Sequence, residues 1–163
     1  MTGHDFFLKI DGIPGESHDA KHKDEIQVHG FSFSEFQHGS MHQGGGGGSG
    51  KVNMQDFHLC LHVNKASPRL WAACACGQHI KKVIFTARKA GKDQHDYLTI
   101  TFSDVIISSY HLADANGKHE AGPQESISLN FAKMEYQYKE QKADGTLGAP
   151  VRTAFDLKQC QLV

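Results

Sequence analysis

The chain has 163 residues, 39% of them hydrophobic and 21% charged, and its 17 Lys and Arg nearly balance its 18 Asp and Glu. This length and composition are typical of one globular domain, here taken as residues 1–163. A formal net charge of -1 excludes the basic surface of a nucleic-acid binder. No apolar run approaches the roughly 18 residues that a membrane-spanning helix needs, so membrane insertion is not expected.

The amino terminus, MTGHDFFLKIDG, does not have the features of a secretory signal, because it lacks a basic start and a long apolar stretch. We therefore expect a protein that is made in the cytoplasm and either stays there or leaves by a route that needs no cleaved signal. The cysteines are expected to be free thiols, since a chain of this length can build a core without disulfides. They are Cys60, Cys74, Cys76 and Cys160.

The first part of the chain contains a predicted strand and an unusual glycine run. Residues 4–10 alternate apolar and polar side chains with period two, which predicts a β-strand. Residues 39–50 are predicted to form a flexible loop within the domain. Its most distinctive members are Gly44, Gly45, Gly46, Gly47, Gly48, Ser49 and Gly50.

The segment 51–63 has an apolar phase that changes along its length, from even positions to odd positions at Phe57. His58, Cys60 and His62 then share the opposite face of the same predicted strand. All three residue types bind zinc, but alternate residues of a strand lie about 6–7 Å apart. This spacing does not suit one tetrahedral ion, so we predict a polar strand face and no metal ligands.

A short helix is predicted over about 67–76. Ser67 has the chemistry of an N-cap, Pro68 suits the first helical turn, and Gly77 suits the C-terminal end. A helix this short and apolar is marginal alone, so we expect it to be buried against the barrel or in a subunit interface. The predicted packing residues are Leu70, Trp71 and Cys74.

The second half of the chain reads as strands, at 83–89, 97–107, 125–138 and 151–157. In 97–107 and 125–138 the apolar phase flips again. Such slips indicate bulges, where a long strand bends from one sheet into another; the alternative is burial of both faces on part of each strand. Both predict a mainly β barrel or sandwich with a partly covered exterior, which favours subunit contacts.

No catalytic or cofactor-binding set is evident. The carboxylates Glu16, Asp19, Asp24 and Glu25 lie in a loop of mixed charge, which predicts a solvated surface. The glycine run lacks the Gly-Lys-Ser/Thr ending of a phosphate-binding loop. No nucleophile, base and orienting group occur in a pattern that indicates catalysis.

Six stretches together resemble the haemolysin-coregulated protein (Hcp) family of bacterial type VI secretion systems. They cover nearly the whole chain in order: DFFLKIDGIPGES (5–17), GSMHQGGGGGSGKVNMQD (39–56), KASPRLWAACACGQHI (65–80), RKAG (88–91), ESISLNFAKMEYQY (125–138) and QKADGTLGAPV (141–151). The glycine run followed by Lys-Val and Gln-Asp is the most distinctive.

This resemblance implies a β-barrel of two antiparallel sheets with one short side helix. It implies homohexameric rings that stack into the inner tube of the secretion system, with residues 44–50 contacting a neighbouring ring. It also implies that Ser32 faces a lumen that carries small effectors, that a spike and a sheath are partners, and that no cofactor is needed. Such proteins leave the bacterial cytoplasm without a cleaved signal, into the medium or a target cell.

A second hypothesis remains open from the residues alone. The twelve histidines are also compatible with a monomeric, secreted β-barrel that binds a metal ion. The two hypotheses differ in the oligomeric state that they predict.

Overall fold

The computed structural model describes residues 3–39, 50–91, 93–114 and 122–163. The secondary structure is mainly β, with one α-helix, as predicted. The elements in chain order are β1 (His4–Ile10), β2 (Ile26–Ser32), β3 (Glu35–Phe36), β4 (Asn53–Met54), β5 (Phe57–His62), α1 (Ser67–Cys76), β6 (Ile80–Lys89), β7 (Asp96–Asp114), β8 (Pro123–Gln141), β9 (Leu147–Asp156) and β10 (Gln161–Leu162).

Six strands close an antiparallel barrel in the order β8-β5-β2-β1-β6-β7, with β7 pairing back to β8. The strands β9 and β10 continue the sheet outward from the second half of β8. The short strands β3 and β4 form a separate two-stranded sheet. The predicted β-barrel with one side helix is therefore confirmed. No helix in the four described ranges is long and apolar enough to cross a membrane.

The barrel interior is filled by aromatic and aliphatic side chains. Phe57, Phe85 and Phe102 are fully buried, and the ring centroids of Phe57 and Phe102 lie 5.0 Å apart. Burying a side chain of this size stabilises the fold by about 1.5–3 kcal/mol. The alternating apolar residues of the sequence thus form one continuous core.

The prediction that a long strand passes from one sheet to another is wrong for β8, because β5, β8 and β9 belong to one eight-stranded sheet. Strand β8 instead runs from the closed barrel into the part of that sheet which β9 extends. Its first part pairs with β5 over 124–129, and its second part pairs with β9 over 133–141. The buried face changes between Phe131 and Met134. At this point the carbonyl oxygen of Ala132 accepts a hydrogen bond from the amide of Leu157, which follows β9. The apolar phase flips where the strand leaves the barrel.

The other two phase changes have different causes. In β7, Asp104 adopts a positive φ of 52°, and the register with β8 shifts between Ile107 and Ser109. In 51–63 the predicted continuous strand is wrong, because β4 and β5 are separate strands of different sheets. The apolar phase changes in 51–63 because one strand ends and another begins, and not because of the expected bulge.

Helix α1 has the predicted bounds, and Gly77 ends it in the left-handed conformation with φ 61°. The prediction that Ser67 is the N-cap is wrong, because Ala66 occupies that position. The Ser67 hydroxyl accepts a hydrogen bond from the Asn64 amide and donates one to the buried carboxylate of Glu125. The serine is therefore used to anchor the helix to β8.

The side of α1 that faces the barrel carries Ser67, Leu70 and Ala73, all buried. Cys74 is half-buried against the core. Of the two predicted environments of Trp71, packing against the barrel is absent from the single chain, since this side chain is 60% exposed. The reason is geometric: successive helical residues are turned by about 100°, so the neighbour of buried Leu70 points away from the barrel.

The predicted solvated surface in the loop 11–25 is only partly confirmed: Glu16 and Asp24 are exposed, whereas Asp19 and Glu25 are partly buried against the barrel. Arg88 of β6 is 2% exposed and donates two hydrogen bonds to Asp19, at 2.9 and 2.7 Å. His22 is also buried, and its two ring nitrogens lie 2.9 and 3.0 Å from carboxylate oxygens of Glu25 and Asp96. At Gly15 a side chain is excluded, because a Cβ would lie 2.4 Å from the Glu25 carbonyl oxygen.

Candidate assembly surface

Three strands carry the core face of the sheet beyond the barrel. Opposed residues of β7, β8 and β9 form apolar rows, the first of which is Phe102, Met134 and Phe155. This row lies at the edge of the core, since Phe102 and Met134 are 0% and 7% exposed. Beyond this row, the apolar side chains of the sheet continue from the edge of the core onto the protein surface.

The later rows of the same face are open to solvent. Tyr136 and Tyr138 are 49% and 44% exposed, and Val151, which opposes Tyr138 on β9, is 71% exposed. We call this surface the extension face and define it by Tyr136, Tyr138, Val151, Phe155 and Leu162. Contiguous apolar surface of this kind on a small protein marks an interaction site.

The extension face borders an apolar groove of about 630 Å³. The opposite wall comes from the small sheet and its flanks, with Phe33, Val52 and Met54. Phe33 also contacts the core rings of Phe57 and Phe131. The groove is therefore an open continuation of the hydrophobic core, and a side chain from another molecule would complete it.

A second exposed apolar surface lies beside the helix. Trp71 and Leu112, which are 60% and 56% exposed, line a concavity with Cys74, Ala75 and Tyr110. The alternative that the predicted helix lies in a subunit interface is compatible with this exposure. We call this surface the helix patch and define it by Trp71, Tyr110 and Leu112.

A buried carboxylate connects the helix patch to the barrel. Glu125 is 1% exposed and accepts hydrogen bonds from Ser67 Oγ at 2.8 Å and from Tyr110 Oη at 2.6 Å. Burial, together with this bond to Glu125, raises the pKa of Tyr110 to about 12. The phenol therefore stays protonated at neutral pH and donates to the Glu125 carboxylate.

Replacing Tyr110 with phenylalanine is expected to lower the free energy of unfolding by about 1.5–3 kcal/mol, because a hydrogen bond to a buried charge is lost. Urea denaturation followed by circular dichroism measures this change. Tyr138→Phe is the matched control, since that residue is 44% exposed and we expect less than about 0.5 kcal/mol there in the dissociated chain. Equal effects of the two substitutions would contradict the role of Glu125.

The strand face that contains Ser32 is polar. In register across the sheet, Ser32 lies opposite His58, which lies opposite Ser128. Cys60 and Ser126 form the next pair of the same face, while the alternate residues of β5 are buried in the core. The predicted polar face of His58 and Cys60 is confirmed, and Ser32 lies on it as an exposed residue.

The glycine run lies mostly outside the described residues, and the predicted contact residues Gly44 to Ser49 all fall there. Gly50 is described, and its carbonyl oxygen accepts a hydrogen bond from Gln37 Nε2. The two ends of the predicted loop are therefore close together, at Gly39 and Gly50, beside the small sheet.

The histidines and cysteines of the chain form neither a metal cluster nor a disulfide among the described residues. Across the described ranges, no three side chains among His, Cys, Asp and Glu lie close enough together to hold a metal ion. All four cysteines are free, and three of them are exposed. The His58, Cys60 and His62 triplet therefore does not converge on one point.

Comparison with known proteins identifies the chain. A family model described as "Type VI secretion system effector, Hcp" matches residues 7–138. The chain belongs to the Hcp family. It is 41% identical to Protein hcp1 of Pseudomonas aeruginosa over 157 residues, which cover 95% of this chain and 96% of that protein.

Solved Hcp structures share its fold. Hcp1 from Salmonella typhimurium has 31% identity and a TM-score of 0.81, with 100% of both chains covered. A type VI secretion system effector from Yersinia pestis has 36% identity and a TM-score of 0.73, covering 93% of this chain and 99% of that one. The barrel, helix and extension described above are therefore the Hcp fold.

Some structurally important residues were not identified from the sequence. The pairing of Arg88 with Asp19 and the burial of His22 join positions about 70 residues apart. The alternation in 125–138 predicts a strand that contains Glu125 but does not predict its burial. A carboxylate in an otherwise apolar strand is nevertheless a signal that it needs buried donors. The extension face itself was indicated by the phase flip in 125–138.

Proposed function

We propose that six copies of this Hcp protein close into a ring and that the rings stack into the inner tube of a type VI secretion system. The observation that carries the proposal is the extension face with its open groove, an apolar surface continuous with the core. A neighbouring copy would bury Tyr136, Tyr138 and Val151 at the seam. The proposed role of the protein is structural and not catalytic.

The polar strand face around Ser32 is proposed to line the lumen of the ring. It carries serine, histidine and cysteine side chains and has few formal charges, so it is suited to weak contacts with varied small effectors. The spike protein and the sheath of the system are further proposed partners. The protein is proposed to leave the cytoplasm through this apparatus, without a cleaved signal, into the medium or a target cell.

Oligomeric mass tests the ring. Six copies of the 18.0 kDa chain give a particle of about 108 kDa, which size-exclusion chromatography with light scattering resolves from a monomer. A stable monomer at micromolar concentration would overturn the proposal and would favour the monomeric module instead.

The loop of residues 39–50 is proposed to make the contacts between stacked rings. Gly46→Val is expected to leave the mass of the ring unchanged and to shorten the tubes, because a β-branched residue restricts the loop conformations that glycine permits. Electron microscopy at high protein concentration measures tube length. Gly46→Ala, with a smaller restriction, should have an intermediate effect, and loss of the ring in Gly46→Val would contradict this assignment.

A further inference from the structure

Two histidines from different strands contact each other outside the surfaces described above. The ring centroids of His29 on β2 and His62 on β5 lie 3.8 Å apart, with the ring planes at 61°. The register of β2 and β5 shifts between Val28 and Gly30, which makes His29 the extra residue of a β-bulge. Bulges re-aim side chains, and this one directs His29 onto His62.

One nitrogen of this pair has no partner. His62 Nδ1 is buried, and it makes no hydrogen bond within the described part of the chain. Buried polar atoms in folded proteins are nearly always paired, so this atom calls for a ligand.

The pair opens onto a polar concavity of about 210 Å³. Glu16, Ser17, Gln27 and Asn64 line it together with the two histidines. A volume of this size accommodates an ion with several waters at about 30 Å³ each. The carboxylate of Glu16 adds negative charge, which favours a cation over an anion.

We propose that His29 and His62 together bind one divalent transition-metal ion of the class that prefers imidazole, such as Zn²⁺. Because the described residues place no third protein ligand beside the pair, water completes the coordination and the site is an open one. Two imidazoles on a tetrahedral ion have ring centroids about 5 Å apart, given bonds of about 2.1 Å. His29 is exposed, so its ring is free to rotate outward by the roughly 1 Å required.

Calorimetric titration of the full chain with ZnCl₂ tests the site, using protein without an affinity tag. We expect one ion per chain, and a zinc-dependent rise in melting temperature, since the ion would join β2 to β5. His29→Gln and His62→Gln should each weaken binding by about tenfold or more. This inference does not depend on ring formation, because stoichiometry is counted per chain and particle mass is measured separately.

His58→Gln is the matched control, since His58 lies on the same strand as His62 and is exposed. It should leave zinc affinity and stoichiometry unchanged. The inference is overturned if the wild-type chain binds no zinc at millimolar concentration, or if His58→Gln weakens binding as much as His29→Gln does. If His62→Gln fails to fold, the zinc affinities of His29→Gln and His58→Gln are compared, and only a weaker affinity in His29→Gln supports the site.

Discussion

Replacing Arg88 with methionine is expected to lower the free energy of unfolding by about 3–5 kcal/mol. This is the usual cost of removing one partner from a buried ion pair, because the Asp19 carboxylate then keeps only the backbone amides of Lys21 and His22 as partners. Arg88 donates to Asp19 and Asp5 and lies over the ring of Phe7, with its guanidinium carbon 4.8 Å from the ring centroid. The substitution removes the ion pairs and this stacking together.

Arg152→Met is the matched control for this prediction. Arg152 also pairs with one carboxylate, Glu135 at 2.7 Å, but its side chain is 61% exposed. Surface ion pairs contribute about 0–1 kcal/mol, so Arg152→Met should hardly change the free energy of unfolding of the dissociated chain. Urea denaturation measures the change in unfolding free energy for each variant. The protein concentration is kept fixed, since assembly also contributes to apparent stability. If the two substitutions lower the unfolding free energy equally, the buried ion pairs of Arg88 stabilise the fold no more than the surface pair of Arg152 does.

The same pair predicts a pH dependence with a definite sign. Hydrogen bonding from Arg88 holds the pKa of Asp19 well below its ordinary value of 3.8. A carboxyl group whose pKa is lowered on folding stabilises the fold above its unfolded value, and this contribution is lost as the pH falls toward the folded value. The difference in unfolding free energy between wild type and Arg88→Met should therefore be full at pH 7 and narrow below about pH 4. A difference that is constant down to pH 3 would contradict the assignment.

Replacing Val151 with aspartate is expected to abolish the ring while the chain remains folded. In the single chain this position is 71% exposed, so a polar residue there costs the monomer less than about 0.5 kcal/mol. At a seam between copies the same carboxylate would be buried without a partner, at a cost of several kcal/mol. Because each 1.4 kcal/mol is a tenfold change in affinity, a cost of about 3 kcal/mol weakens each contact by roughly a hundredfold.

Val151→Thr is the control at the same position, because it keeps the shape and the β-propensity and adds no charge. Light scattering should give a ring for Val151→Thr and a monomer for Val151→Asp, with similar circular dichroism spectra. A ring of unchanged mass in Val151→Asp would place the seam elsewhere on the chain, and the helix patch would then be the next surface to substitute.

Local patterns in the sequence predicted a mainly β fold with one short helix, and the family resemblance then indicated a barrel. Period-two alternation identified β1 and β6, and the phase flip between Phe131 and Met134 identified the point where β8 leaves the barrel. Pro68 and Gly77 bounded the helix. These features depend on neighbouring residues, which is why they can be read from one sequence.

The burial of single side chains was harder to predict. Trp71 is as apolar as Leu70, but only their angular positions on α1 relative to the barrel decide which one is buried. Asp19 and His22 resemble solvated loop residues until Arg88 and Asp96 are brought beside them from other strands. The contact of His29 with His62 likewise depends on a bulge that has no signature in the local pattern.

The central claim is that the extension face is an apolar surface completed by another copy of the chain. Cryo-electron microscopy of the purified protein tests it most directly, because it shows both the particle and the seam. The expected result is a six-membered ring with a central hole, in which Tyr136, Tyr138 and Val151 are covered by the adjacent copy. Single particles of one chain, or a ring that leaves these three side chains in solvent, would contradict it.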